Sequence, residues 1–121
     1  MRRAILIVDH GSRRSEANAL LDAVAERVRA RAPEVAVHVA HMELAAPSIA
    51  EGLDACKADG AGEVVVHPFF LGPGNHTSED IPRLVEEAAA QHPDLVVRIS
   101  APLGPHEKLI DILLERVNET R

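Results

Sequence analysis

Three side chains able to bind a metal or move a proton stand where apolar runs give way to loops. His10 follows AILIVD, Glu43 follows VAVHVAHM, and His76 follows EVVVHPFFLGPGN. Neutral imidazoles with a carboxylate suit a divalent transition metal such as Co, Fe, Ni or Zn. Imidazole also exchanges protons near neutral pH. For His10 taken alone, a loop histidine bonded to local backbone is the favoured reading. His76 carries more weight, because Gly72-Pro73-Gly74-Asn75 permits backbone angles and close approaches that other residues forbid. A second chemistry lies beside the first. Ser12, Arg13 and Arg14 put hydroxyl and fixed positive charge next to a helix start, and Thr77 and Ser78 open another, so both loops suit an anionic ligand. A solvated loop is the competing reading for the arginines.

The remaining candidates rank lower. His41 shares the parity of Val35, Val37 and Val39 and reads as buried, with a supporting role next to the site as the alternative. His67, before Pro68, reads as a satisfied core or interface histidine. No role is expected for His38, His92 or His106. Cys56 lies on the inner face of a helix and is expected to pack. Neither HGS nor GPGNH has the spacing of a Walker loop or a dinucleotide fingerprint, and Ser12 lacks the flanking pattern of a hydrolase elbow.

These residues need elements to hold them, and the apolar spacing supplies eight. Strands are expected at Ala4–Val8, Val35–Met42, Glu63 onward and Leu95–Ser100. Helical spacing runs from Ser15 to Pro33 through Leu20, Leu21, Val24 and Val28. Ser48 and Glu51 form a capping box for a second helix, closed by Gly60 and Gly62. Ile81, Leu84, Val85, Ala88 and Ala89 mark a third, with Pro82 in its first turn. Leu109, Ile110, Leu113, Leu114 and Val117 mark the last. Strict βαβαβαβα alternation predicts an α/β, flavodoxin-like open parallel sheet of four strands, order 2-1-3-4, with helices on both faces. That order sets the ends of strands one and three side by side, at the carboxyl edge where such sheets bind ligands.

Bulk properties narrow the function. The 121 residues fit one domain, residues 1–121. A net charge of −6 opposes general nucleic-acid binding. No apolar stretch approaches the ~18 residues of a membrane span, and no signal-peptide core follows Met1-Arg2-Arg3. The single Cys56 excludes an internal disulfide, so a cytoplasmic location is expected.

Taken in series, Ile7-Val8-Asp9-His10-Gly11-Ser12-Arg13, Met42-Glu43-Leu44 with Pro47-Ser48-Ile49, Pro68-Phe69-Phe70-Leu71, and Gly74-Asn75-His76 with Asp80-Ile81-Pro82 resemble the short sirohydrochlorin chelatases of the CbiX/SirB type. The resemblance spans nearly the whole chain. It implies ATP-independent insertion of a divalent metal, cobalt first and iron or nickel otherwise, into sirohydrochlorin for cobalamin or sirohaem synthesis. By position, His10 and His76 match the metal-handling histidines and Glu43 the acidic residue of the site. Ser12, Arg13, Arg14, Gly74, Asn75, Thr77 and Ser78 then face the tetrapyrrole carboxylates. The metal is a substrate, and no tightly bound cofactor is expected. Longer relatives have two lobes facing one cleft, so the resemblance implies a homodimer here. This chain lacks the histidine-rich tract and the iron–sulfur cysteines of some relatives, and His67 stands where an aliphatic residue is expected. A non-catalytic metal or tetrapyrrole carrier would use the same residues. A flavodoxin-like anion-binding module would use only the Arg13–Arg14 loop.

Overall fold

The computed structural model describes residues 2–72 and 75–120, except for the side chains of residues 75–78. Elements follow the expected order: β1 (Arg3–Asp9), α1 (Ser15–Arg31), β2 (Ala36–His41), α2 (Ile49–Ala58), β3 (Glu63–Pro68), α3 (Asn75–Ala89), β4 (Val96–Ile99) and α4 (Glu107–Glu119). The four strands form one parallel sheet in the order β2-β1-β3-β4. β1 is central, and Asp9 pairs with His41 at the last position of its ladder with β2.

Alternation along the strands sorts the core into two layers. Ala4, Leu6 and Val8 of β1 and Val64 and Val66 of β3 point to the α2/α3 face. There they pack with Leu53, Cys56, Ile81 and Val85. Ile5, Ile7 and Val37 point to the opposite face, against Leu21 and Ala25 of α1. Gly52 lets α2 approach the sheet: a Cβ there would lie 2.6 Å from a Leu6 methyl carbon. Burial pushes the Cys56 thiol up to about 12, which leaves it an unreactive packing group.

The expected capping box of α2 is present. Ser48 Oγ accepts from Glu51 N–H at 3.1 Å, and Glu51 Oε1 accepts from Ser48 N–H at 2.9 Å. Two features differ from expectation. The third helix begins at Asn75, so Pro82 lies inside it and not in its first turn. Pro82 is exposed, while its neighbour Ile81 is buried and anchors the helix. That burial outweighs the single backbone hydrogen bond a proline forgoes. α4 forms over the expected residues, yet none of its side chains is buried. Among the described residues, no helix is long and apolar enough to cross a membrane.

Candidate functional site

The site grows out of the carboxyl ends of β1 and β2. Pairing of these strands outlasts their regular segments: Met42 N–H donates to Asp9 O at 2.9 Å, and Glu43 N–H donates to His10 O at 3.1 Å. The loop after β2 folds back, with His41 N–H donating to Pro47 O at 2.8 Å. Residues 10 and 43 are thus joined through the backbone before their side chains meet. The side chains do meet. His10 Nε2 lies 3.1 Å from Glu43 Oε1, with about half of each side chain exposed. A carboxylate only accepts, so a neutral His10 imidazole carries its proton on Nε2 and keeps the lone pair on Nδ1.

Gly11 makes this approach possible. Its φ is +93°, and a Cβ would stand 1.8 Å from the Glu43 carbonyl oxygen, so no other residue fits the present geometry. Leu44, just past Glu43, takes a left-handed φ of 68°, a strained conformation for a leucine. Asn18 braces the His10 loop from α1: its Oδ1 accepts from Ser12 N–H at 2.9 Å, and its Nδ2 donates to Ser12 O at 2.8 Å. Ser12 Oγ in turn accepts from Arg14 N–H at 3.0 Å. Arg13 and Arg14 are exposed.

Below the exposed pair is a buried one. His41 Nδ1 lies 2.5 Å from Asp9 Oδ1; the histidine side chain is 3 % exposed and the aspartate 23 %. His41 is therefore buried, as its parity indicated, but it is also tied to the strand end that carries His10. Asp9 and Asn18 were not singled out from sequence. Asp9 lies beside His10 in DHGS, yet its partner is 32 positions away. Asn18 carried no signal, because an asparagine in the first turn of a helix is ordinary.

A cavity of about 350 Å³ opens beside His10, lined by Asp9, Ser12, Asn18, Leu21, Phe69 and Phe70 among others. Its walls combine apolar surface with a few polar groups, the usual make-up of a small-molecule site. α3 starts after the carboxyl end of β3, so residue 76 belongs to the edge that bears His10 and Glu43. Gly74 and the side chains of Asn75, His76, Thr77 and Ser78 lie outside the described residues. Among the described residues, no group of three metal-binding side chains gathers. His10 and Glu43 are two such groups in contact. Gly72 was expected to permit a close approach, but a Cβ there would meet nothing within 4 Å.

The other histidines are held by neighbours. His38 pairs with Asp59 and His92 with Asp54, while His106 caps α4 by accepting from Lys108 N–H. His67 departs from its expected satisfaction. Its Nδ1 lies 2.8 Å from Ser100 Oγ, but Nε2 is buried without a partner among the described residues. Burial holds its pKa below the usual histidine value.

The chain is 45 % identical over 113 residues to the chloroplastic sirohydrochlorin ferrochelatase of Arabidopsis thaliana, covering 93 % of this chain and 50 % of that protein. It is 31 % identical to a sirohydrochlorin cobaltochelatase of Methanococcus maripaludis, over 95 % of this chain and 97 % of that protein. The crystal structure of the sirohydrochlorin chelatase SirB from Bacillus subtilis subspecies spizizenii in complex with cobalt is similar at a TM-score of 0.92. Its sequence identity is 30 %, over 99 % of this chain and 51 % of that one. The chain thus spans about half the length of the plant protein and of SirB. The family model CbiX matches residues 4–120, so the chain belongs to the CbiX family.

Proposed function

We propose that this protein inserts a divalent metal ion into sirohydrochlorin. The observation that carries the reading is the contact of His10 Nε2 with Glu43 Oε1, half-exposed at the carboxyl edge and beside an apolar-walled cavity. Insertion replaces two pyrrole N–H protons of the macrocycle by one metal ion, so one M²⁺ enters and two H⁺ leave. The site must hold the ion weakly enough to release it and must accept protons within hydrogen-bond reach. His10 and Glu43 fit both demands. An arriving ion meets a carboxylate oxygen and the lone-pair nitrogen of a neutral imidazole, whose single proton then sits on the other ring nitrogen. When the ion moves on to the macrocycle, the imidazole lone pair and the carboxylate are each free to take one of the two pyrrole protons and pass it to solvent.

His76 is assigned to this site as the second imidazole. Arg13, Arg14 and Ser12, with the start of α3 at Asn75, Thr77 and Ser78, are assigned to the substrate carboxylates. Gly74 completes that loop. The reading needs no nucleotide and no tightly bound cofactor. Cobalt is taken as the metal, with iron and nickel as competitors, because an imidazole and a carboxylate accept all three. Two copies acting together belong to the same reading.

The test is an insertion assay with sirohydrochlorin and each of Co²⁺, Fe²⁺ and Ni²⁺, followed by absorbance. Many turnovers per site are expected. Product that stops at one equivalent per site would instead identify a carrier.

A further inference from the structure

Gly11 lets His10 reach Glu43, yet a glycine fixes nothing by itself. It has no Cβ and the widest choice of backbone angles of any residue, and it follows directly on His10. Where His10 stands therefore depends on what holds the peptide planes around Gly11.

Those planes are held from outside the loop. Met42 N–H donates to Asp9 O at 2.9 Å, which fixes the Asp9–His10 peptide. Glu43 N–H donates to His10 O at 3.1 Å, which fixes the His10–Gly11 peptide. Both donors lie just past β2. The Gly11–Ser12 peptide is held from α1 instead: its N–H donates to Asn18 Oδ1 at 2.9 Å. Asn18 Nδ2 returns a bond to Ser12 O at 2.8 Å, on the next peptide. One side chain thus fixes two consecutive planes. Together with the Glu43 bond it sets both torsions of Gly11.

These bonds are not a helix cap. A cap satisfies the free N–H groups of the first turn, whereas Ser12 lies two residues before Arg14, the N-cap of α1. Arg14 itself makes no capping bond with its side chain. Asparagine is also a weak helix former. What it offers is a group that donates and accepts at once, as a bond to both the N–H and the C=O of one residue demands. Its mount is firm. Leu21 and Ala25, further along α1, are 2 % and 0 % exposed and pack the helix on the sheet.

We propose that Asn18 is the positioning residue of His10: its amide locks the Gly11–Ser12 peptide, and through it holds the imidazole where Glu43 and a metal ion are met. The part that concerns metal insertion rests on the functional reading above, and the part that concerns the imidazole does not. Asn18 also lines the cavity beside His10, so a direct contact with bound tetrapyrrole is the rival role.

The experiment compares Asn18→Leu, similar in shape and better suited to a helix, with Ala23→Gly, an exposed change that loosens α1 without touching the loop. In metal-free protein, hydrogen exchange of the Ser12 amide and the nuclear magnetic resonance signals of the His10 ring report the geometry. Asn18→Leu should speed exchange at Ser12 and move the His10 signals toward those of a free imidazole. Ala23→Gly should do neither. Titration with Co²⁺ should show an affinity about 10–100-fold lower in Asn18→Leu, the usual cost of losing a group that orients a metal ligand. At saturating sirohydrochlorin kcat should fall by a similar factor, with KM for the tetrapyrrole within about twofold of the unsubstituted protein. Unchanged His10 signals and Co²⁺ affinity in Asn18→Leu would overturn the proposal. Losses no larger than those of Ala23→Gly would overturn it too, leaving Asn18 a stabilising group. A raised KM at unchanged kcat would do the same by making Asn18 a substrate contact. If the unsubstituted protein turned over no sirohydrochlorin, the functional reading alone would fall, because the His10 signals still decide the role of Asn18.

Discussion

His41 Nδ1 and Asp9 Oδ1 lie 2.5 Å apart, directly behind the residues that form the exposed His10–Glu43 pair. The bond joins the last paired positions of β1 and β2, and it is the buried counterpart of the contact that meets solvent. Asp9→Ala removes the partner of an almost fully buried imidazole. The expected cost is about 1–3 kcal/mol, the usual penalty for orphaning a buried polar group. Urea unfolding should show a lower midpoint at unchanged slope. A midpoint equal to that of the parent protein would show that the pair holds nothing.

His10→Ala and Glu43→Ala should behave in the opposite way. Both side chains are about half exposed, so stability should stay within about 0.5 kcal/mol of the parent. Metal insertion should fall by about 10²–10⁴-fold, the range for losing a positioned acid or base. His76→Ala should match them in turnover. Arg13→Ala should weaken tetrapyrrole binding, most visibly at low ionic strength, with less effect at saturation. Saturation kinetics on the four variants separates the two classes.

Gly11→Ala and Gly72→Ala form a matched pair. At Gly11 the new Cβ would overlap the Glu43 carbonyl oxygen and the backbone is left-handed. At Gly72 it would enter open space. Gly11→Ala should destabilise by more than about 2 kcal/mol and cut insertion as well, because Glu43 must retreat. Gly72→Ala should be neutral or stabilising by up to about 1 kcal/mol. Thermal melts of both variants, run beside the insertion assay, check this.

His67 gives stability a pH dependence. Burial lowers its pKa in the folded chain, so the folded state binds the proton less readily than the unfolded one. Stability from this group is complete above the unfolded value of about 6.5 and declines as pH falls towards the lower folded value. His67→Leu should flatten that part of the curve of unfolding free energy against pH. An unchanged slope between about pH 6.5 and 5 would assign the effect to other groups.

The sheet order and the strand-end positions of His10 and Glu43 were legible because alternating elements leave few topologies and place loops at one edge. The helix start at Ser15 and the Ser48–Glu51 box were legible because their signals are local. Asp9–His41 was not: its two members meet only through the register of β1 on β2, a relation between distant segments. Gly11 showed its type but not the carbonyl it makes room for. The apolar stripe of α4 predicts a buried helix face, yet its large aliphatic side chains are exposed, because spacing within one helix does not say what it packs against. Pro82 suggested a helix start that the burial of Ile81 overrode.

β2 is an edge strand and β1 a central one, so the two halves of the His10–Glu43 pair rest on unequal supports. Edge segments open at lower free energy than a buried centre. In hydrogen exchange, the amide of Glu43 should lose protection well before those of Leu6 or Val66. The carboxylate can then draw back through fraying of one strand end while the imidazole keeps its place. A small ion would have a way in and out past His10 without any larger opening of the domain.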